Sequence, residues 1–142
     1  MRISTKGRYA VRALTDLACY SKNKPLSLST ISERQKISLY YLEQLFVKMR
    51  RAGLVKSVRG PGGGYCLAKE ANDISVWDVL SAVNERMYLV DCLQNGDGIC
   101  DMVDSCVTRL IWKKLGDKIG DELKQITLKK LCCEKKKIDK KP

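Results

Sequence analysis

The chain has 142 residues, of which 44% are hydrophobic and 30% are charged, and its formal net charge is +11. This length fits one domain with an appended element, and the high charged fraction argues against an integral membrane protein. Charges run through residues 1–21 without a continuous apolar stretch, so we expect no signal peptide and a cytoplasmic protein.

The positive charge is concentrated in the N-terminal part of the chain. Residues 1–60 contain 13 Lys and Arg against 3 Asp and Glu, whereas residues 61–133 contain 9 against 11. The remaining residues, 134–142, contain 5 against 2. So strong an asymmetry indicates that the first 60 residues face a polyanion, and nucleic acid is the best candidate. The alternative is a basic surface that is simply solvated.

Two helices are predicted in the first 35 residues. The first begins at Ser4 or Thr5, either of which can cap it, and runs to about Tyr20. Small and apolar residues recur along it at helical spacing, which predicts one buried face. A shorter helix follows, with Ser29 or Thr30 as its cap.

The next helix follows a tight turn at residues 36–38, as in a helix-turn-helix. Ser38 can cap this helix, which runs to about Ala52 and ends at Gly53. Successive helical residues are rotated by about 100°, which separates an apolar side from a polar side. The apolar side comprises Leu39, Leu42, Leu45, Phe46 and Met49. The polar side comprises Tyr40, Glu43, Gln44, Val47, Lys48 and Arg51.

This polar side combines aromatic, acceptor, amide and cationic groups, which are the side chains that contact base edges and phosphates. An ordinary solvated helix is the alternative. The hairpin that follows favours the DNA-binding interpretation, because two short strands at residues 54–58 and 64–68 flank a glycine-rich tip. This pattern predicts the wing of a winged helix. A nucleotide-binding loop is excluded, since no Gly-Lys-Ser/Thr follows the glycines.

A further short helix is predicted from about residue 74, and a longer amphipathic helix follows residue 106. The longer helix could pack on its own domain or pair with the same helix of a second copy, because operator-binding proteins are commonly two-fold symmetric. We expect one more helical turn at residues 127–131 and disorder in the lysine-rich residues 134–142. The apolar residues of the longer helix are Val107, Leu110, Ile111, Leu115, Ile119, Leu123 and Ile126.

Three of the seven cysteines, Cys92, Cys100 and Cys106, lie in an acidic loop with four aspartates. Clustered cysteines in a reducing compartment indicate metal or redox chemistry. The residues alone support an iron–sulfur cluster and a structural zinc ion equally. An enzyme is disfavoured, because the chain has no histidine and no nucleophile–base pair is visible. A small ferredoxin-like electron carrier is disfavoured by the helix-turn-helix and the basic N-terminal part.

The other cysteines carry little signal. Cys19 and Cys66 stand singly among apolar neighbours and are predicted to be small core residues. The pattern assigns no role to Cys132 and Cys133, which stand beside the basic tail.

Three segments together closely resemble the IscR family of bacterial iron–sulfur cluster assembly regulators, whose relatives include the nitric-oxide-sensing NsrR and cysteine-metabolism CymR regulators. The segments are KGRYAVRALTDLA, residues 31–67 and the three-cysteine loop. The likeness extends over almost the whole chain to about Leu131. The resemblance implies a homodimeric winged-helix transcription factor, mainly α, with a small hairpin wing and a long C-terminal dimerisation helix.

The resemblance also implies a [2Fe–2S] cluster held by Cys92, Cys100 and Cys106, supplied by cluster donor proteins. It implies that cluster status governs binding to double-stranded operator DNA and so controls cluster-assembly genes. The residues expected to contact DNA are Ser38, Tyr40, Tyr41, Glu43, Gln44, Lys48, Arg51, Arg59 and Gly60. The predicted units are a winged-helix domain over 1–84, the cysteine loop and dimerisation helix over 85–133, and the tail over 134–142.

Two positions depart from the family pattern. Tyr40 stands where a serine is usual, which bears on the operator sequence. Arg109 stands where a histidine usually completes the cluster ligands, and a guanidinium cannot ligate iron. Asp101, Asp104, Thr108, a cysteine elsewhere or a small molecule could supply the fourth ligand. A related regulator of nitric-oxide or cysteine status and a zinc-stabilised DNA-binding protein are the alternative functions.

Overall fold

A computed structural model describes residues 1–94 and 100–142, so residues 95–99 of the predicted cysteine loop lie outside the described part. The fold is mainly helical with one antiparallel hairpin, which confirms the predicted winged-helix class. The helices and strands are α1 (Thr5–Tyr20), α2 (Leu28–Gln35), α3 (Leu39–Arg51), β1 (Val55–Val58), β2 (Gly64–Leu67), α4 (Val76–Ala82), α5 (Val107–Gln125) and α6 (Leu128–Asp139). Short 3₁₀ turns lie at Ala71–Asp73 and Asp91–Leu93.

Serine side chains begin the first three helices. Ser4 accepts a hydrogen bond from the Gly7 amide at 3.2 Å, and Ser38 accepts one from the Tyr41 amide at 3.1 Å, as predicted. The predicted cap of α2 is wrong. The helix begins earlier, and Ser27 is its cap, accepting from the backbone amide of Thr30 at 3.2 Å.

An ion pair with a buried carboxylate fixes the first helix to the second. Asp16 of α1 is only 3% exposed, and it accepts hydrogen bonds from both Arg34 and Gln35 at the end of α2. The hydrogen bond with Asp16 raises the pKa of Arg34. Lys36 then takes a left-handed conformation, with φ 55°, and turns the chain toward α3. The Arg34 side chain is 34% exposed, so solvent weakens the pair relative to a fully buried one, but loss of Arg34 would leave the buried Asp16 carboxylate without its cation. The pair therefore helps to fix the helix-turn-helix geometry.

The wing is joined to the helical core at its base. Leu26 exchanges two backbone hydrogen bonds with Tyr65 of β2, at 2.9 and 2.8 Å, and the Tyr65 ring packs on Phe46 of α3 with centroids 4.9 Å apart. These contacts set the position of the hairpin relative to α3. The buried core comprises Ala10, Ala13, Leu14, Leu17, Ile31, Ile37, Leu42, Leu45, Phe46, Met49, Leu54, Val55, Ile74, Val79, Val83 and Leu128.

The chain returns to this core after α5. The Val76 amide donates to the carbonyl of Ile126 at 2.8 Å, and the Leu128 amide donates to that of Ile74 at 2.9 Å. Leu128 is fully buried in the core, and α6 packs against α1. Residues after 127 therefore pack with the core of the winged-helix domain.

The predicted disorder of residues 134–142 is wrong for most of that segment, because α6 continues to Asp139. Apolar side chains at its N-terminal end anchor the helix, and ion pairs along its exposed side link Lys135 to Asp139 and Lys137 to Glu134. The lysine-rich composition of residues 134–142 did not reveal that apolar residues earlier in α6 hold the helix in place. No helix in the described ranges is long and apolar enough to cross a membrane.

Two glycines of α5 distinguish the side that faces the domain. Gly120 is buried against Trp77 of α4, and a Cβ atom at Gly120 would lie 2.9 Å from the Trp77 ring. At Gly116, an added Cβ would meet no described atom within 4 Å. The absence of a side chain at Gly120 thus allows α5 to pack closely against Trp77 of α4.

We expect Gly116→Ala and Gly120→Ala to change stability in opposite directions. Alanine favours a helix over glycine by up to about 1 kcal/mol, so Gly116→Ala should raise the Tm by a few degrees. At Gly120 the clash with Trp77 should cost about 1–3 kcal/mol and outweigh that gain. Thermal unfolding followed by circular dichroism compares both variants with the wild type. A Gly120→Ala Tm equal to that of Gly116→Ala would contradict the contact.

Candidate nucleic-acid interface and cysteine segment

The helix α3 buries its apolar side and presents its polar side outward. Leu42, Leu45, Phe46 and Met49 are at most 2% exposed, as the angular analysis predicted. Leu39 is an exception. It was placed on the buried side but is 41% exposed, because it begins the helix where no other element covers it.

The predicted DNA-contacting residues of α3 differ in their surroundings. Tyr40 is 70% exposed. Tyr41 is half-buried and packs edge-on against Tyr9, with ring centroids 5.8 Å apart, so its ring also stabilises the α1–α3 contact. Lys48 is half-buried. The exposed members of the set are Ser38, Tyr40, Glu43, Gln44 and Arg51.

The wing presents a cation at a glycine-rich tip. Arg59 and Gly60 are both exposed, and the Gly63 amide closes the turn onto the Gly60 carbonyl at 2.9 Å. Gly60 and Gly62 have φ values of 97° and 73°, in the left-handed region that favours glycine. The tip therefore carries an arginine on a backbone able to pass close to another surface.

The N-terminus of α1 is connected to the segment that leads to the cysteines. The Ser4 amide donates to Glu85 Oε1 at 3.0 Å, and the Ser4 hydroxyl donates to Oε2 of the same carboxylate. Burial by itself would raise the pKa of Glu85, but the bonds from Ser4 and the charge of Lys6 hold that pKa below its ordinary value. The chain leaving α4 is thus fixed to the start of the DNA-binding domain.

The three cysteines of the segment occupy different positions. Cys92 is half-buried in the 3₁₀ turn, Cys100 is exposed, and Cys106 is the N-cap residue of α5. A hydrogen bond with Thr108 Oγ1, at 3.2 Å, and the amides of Arg109 and Thr108 lower the pKa of Cys106. A lower pKa favours the thiolate, which is the form that binds metals and reacts with disulfides.

The structure does not gather these cysteines into one donor group. Over residues 1–94 and 100–142, no three Cys, Asp or Glu side chains come close enough together to hold a metal ion. The predicted oxygen donors Asp101 and Asp104 are exposed. Arg109 lines a crevice with Trp77, Tyr88 and Leu93, between α4 and α5.

Two cysteines predicted to be core residues are only half-buried. Cys66 lies on β2, and its Sγ is 4.0 Å from the Lys56 carbonyl across the hairpin. Cys19 forms a disulfide with Cys132 of α6. The sequence carried no signal for this pair, because 113 residues separate the two cysteines and α6 was not predicted to extend along α1.

The helix α5 leaves part of its apolar surface uncovered. Val107, Leu110, Ile111 and Leu115 are 73%, 66%, 50% and 44% exposed, whereas Ile119 and Leu123 are half-buried. The predicted single stripe is therefore divided. Its N-terminal half faces away from the domain, and its C-terminal half is partly covered.

The protein has a helix-turn-helix whose second helix, α3, exposes its polar side, and a hairpin wing adjoins it. This combination defines a winged-helix DNA-binding protein. The profile of the Rrf2 family, described as an iron-dependent transcriptional regulator, matches residues 3–134. The chain belongs to the Rrf2 family of transcriptional regulators.

Individual relatives agree with this assignment. The chain is 51% identical over 139 residues to the HTH-type transcriptional regulator IscR of Pectobacterium carotovorum, covering 98% of this chain and 84% of that protein. Its structure is similar to that of T. potens IscR, with a TM-score of 0.78 and 38% identity over 100% of this chain and 93% of the other. Its structure is also similar to that of CymR, the global cysteine regulator of B. subtilis, with a TM-score of 0.78. The two chains are 33% identical, and the match covers 94% of this chain and 98% of CymR.

These comparisons confirm the resemblance to IscR. They also confirm that the protein is a DNA-binding transcriptional regulator and not an enzyme, since the matched relatives are named as regulators.

Proposed function

We propose that the protein is a cytoplasmic homodimer that reads double-stranded operator DNA and controls iron–sulfur cluster assembly genes in response to cluster status. The observation that carries this proposal is the position of the cysteines. They lie between the winged-helix domain and α5, and Cys106 is the N-cap residue of α5. The names of the IscR relatives and the iron-dependent description of the family support the same function.

In this proposal, α3 and the wing form one DNA-binding surface. Glu43 and Gln44 would meet base edges in the major groove, where a carboxylate accepts from cytosine N4 and an amide pairs with adenine. Arg59 would enter the neighbouring minor groove or contact its phosphates. Tyr40, which is 70% exposed, extends further from the helix than a serine would and should alter which base lies beneath it.

The proposed DNA surface predicts two different mutant phenotypes. Arg59→Ala should weaken operator binding at all sites and reduce the slope of log Kd against log salt by roughly one phosphate equivalent. Glu43→Ala should instead relax the preference for one base pair, which a good contact favours by about 1–3 kcal/mol. Fluorescence anisotropy on an operator series at several salt concentrations measures both effects.

Arg86→Ala is the matched control, because Arg86 is an exposed cation that follows α4 on the cysteine side. It should leave base preference unchanged and alter the salt slope less than Arg59→Ala. If Arg59→Ala and Glu43→Ala both retain wild-type affinity and preference, α3 and the wing are not the reading surface.

The uncovered apolar side of α5 supports the proposed homodimer. Four large apolar side chains in its first nine residues are at least 44% exposed. Exposed apolar patches of this kind are typical of protein–protein interfaces. A second copy, related by a two-fold axis, would cover this surface with the same side chains. It would also place two winged-helix domains on the two halves of a palindromic operator.

The cysteine segment can supply three of the four ligands that an iron–sulfur cluster needs. Cys92, Cys100 and Cys106 supply thiolates, and the lowered pKa of Cys106 favours the ligating form. A [2Fe–2S] cluster takes four ligands, and Arg109 cannot be one of them. We propose that these three cysteines hold the cluster and that Asp101, another oxygen donor or a small molecule completes it.

When bound, the cluster supplies a redox-active, oxygen-sensitive group whose occupancy reports cluster supply. The structure connects the cysteine segment to the DNA-binding domain on one side and to α5 on the other. Glu85, which accepts hydrogen bonds from the α1 N-cap residue Ser4, precedes the cysteines, and Cys106 is the N-cap residue of α5. Holding the three thiolates together would therefore fix the start of the proposed dimer helix relative to the DNA-binding domain.

Regulation by cysteine status is the second candidate function, favoured by the similarity to the B. subtilis CymR structure. The two functions differ in their cofactor. A cluster-responsive protein purified without oxygen should contain iron and acid-labile sulfide, whereas a regulator that only senses cysteine status should contain neither.

A further inference from the structure

We propose that Cys19 and Cys132 form a reversible thiol–disulfide site that fastens α6 to α1 and exchanges with low-molecular-weight disulfides. The structure joins the two cysteines, and their Cα atoms are 5.3 Å apart. This separation lies within the range that a disulfide requires. The site is separate from Cys92, Cys100 and Cys106, and it does not depend on a bound cluster.

A small reagent can reach this site. Both cysteines are half-buried rather than enclosed. Cys19 faces an apolar groove of about 300 Å³ between α1 and α6, which Val11, Leu131 and Ile138 help to line. A groove of this size admits the sulfur of a small thiol or disulfide.

Opening the disulfide would free the end of α6 without uncovering the core. The fully buried anchor of α6 is Leu128, which precedes Cys132 by one helical turn. Beyond Cys132, the helix is mostly exposed, and Ile138 is 61% exposed. The reduced protein can therefore keep its fold while the last turns of α6 separate from α1, so both redox states are compatible with a folded domain.

The site also lies close to the helix-turn-helix. Asp16, the buried carboxylate that holds Arg34 and Gln35 of α2, precedes Cys19 by about one turn of α1. The same side of α1 thus carries both the connection to α2 and the connection to α6. The redox state of the pair consequently determines how firmly the end of α6 is held to the helix that supports α2.

The chemistry is ordinary thiol–disulfide exchange. The thiolate of one cysteine attacks an external disulfide, forms a mixed disulfide and releases one small thiol. The second cysteine, as a thiolate, then attacks the protein sulfur of the mixed disulfide and releases the second small thiol. The protein loses two electrons and two protons, and the external disulfide gains both as it becomes two thiols.

The test titrates the full-length protein anaerobically in buffers with increasing ratios of oxidised to reduced glutathione. After alkylation, peptide mass spectrometry measures the Cys19–Cys132 linked peptide. We expect this peptide to rise from absent to predominant along the series and to disappear on return to reducing buffer. Trypsin cleavage within residues 135–137 should be about tenfold slower in the linked form, because the disulfide restrains local opening of α6.

Cys133→Ser and Cys66→Ser are the matched controls and should leave the linked peptide and its titration unchanged. Cys19→Ser and Cys132→Ser should remove the peptide and keep trypsin cleavage at the fast rate under all conditions. The wild-type titration is decisive even if a variant folds poorly. Failure of the linked peptide to form at any ratio would overturn the proposal. A linked peptide that persists in fully reducing buffer, or a link through Cys133, would overturn it equally.

Discussion

Replacing Cys92, Cys100 or Cys106 by alanine is expected to abolish bound iron and sulfide, or to leave only a small fraction of the wild-type content. Each replacement removes one of three thiolates, and two thiolates are too few for stable attachment of a [2Fe–2S] cluster. The measurement is the visible absorption spectrum with iron and sulfide analysis of anaerobically purified protein. The Rrf2 fold should remain, since the helical circular dichroism depends on a core that none of the three cysteines enters.

Arg109→His is the informative companion to these variants. It restores an imidazole at the position where the family usually has one, so cluster lifetime in air should increase and the reduction potential should change. Cys66→Ala is the matched control and should keep the wild-type content, because Cys66 lies on the hairpin. Full cluster content in all three alanine variants would exclude these cysteines as ligands. An unchanged Arg109→His lifetime would show that residue 109 does not lie at the iron.

A double substitution on α5, Leu110→Glu with Leu115→Glu, is expected to convert the proposed dimer into monomers. The two side chains are 66% and 44% exposed in one chain, so charges there should be tolerated by the monomer but would be buried in a symmetric interface. Binding to a palindromic operator should fall by about 100-fold or more, because two half-sites would no longer be bound together. Sedimentation velocity and anisotropy measure the two quantities.

Ser81→Glu is the control for the dimer, since it adds a single glutamate charge at an exposed position of α4, away from the apolar side of α5. It should leave both the sedimentation coefficient and operator affinity unchanged. A double variant that still sediments as a dimer would place the interface on another surface. A monomer with full affinity for the palindrome would show that dimerisation does not contribute to DNA binding.

The winged-helix part of the fold could be predicted from sequence because its signals are local. Ser38 as a helix cap, Gly53 after the last turn of α3 and the glycine-rich hairpin tip each specify their own neighbourhood. The outward position of Glu43 and Gln44 followed from helical geometry, and both are exposed in the structure. Their contact with bases remains a prediction, since exposure alone does not identify what they touch.

The parts that sequence analysis missed depend on contacts between distant segments. The lysine-rich composition after residue 133 suggested disorder, and only the burial of Leu128 in a core built by residues 10–83 shows why α6 is a helix. The division of the α5 surface depended on Gly120, whose contact with Trp77 could not be read from the spacing of apolar residues. Cys19 and Cys132 likewise become a pair only when α6 lies along α1.

The insertion of Leu128 into the N-terminal core has a consequence for how the protein is made. Residues 1–84 are synthesised first, yet their core lacks one of its fully buried side chains until the ribosome has released residue 128. Such contacts between the two ends of a chain form late and slow folding, since the intervening segment must be closed into a loop. The DNA-binding domain should therefore reach its final stability only after translation of the cysteine segment and α5. A chain whose cysteine segment has not yet been synthesised therefore lacks a fully formed DNA-binding domain.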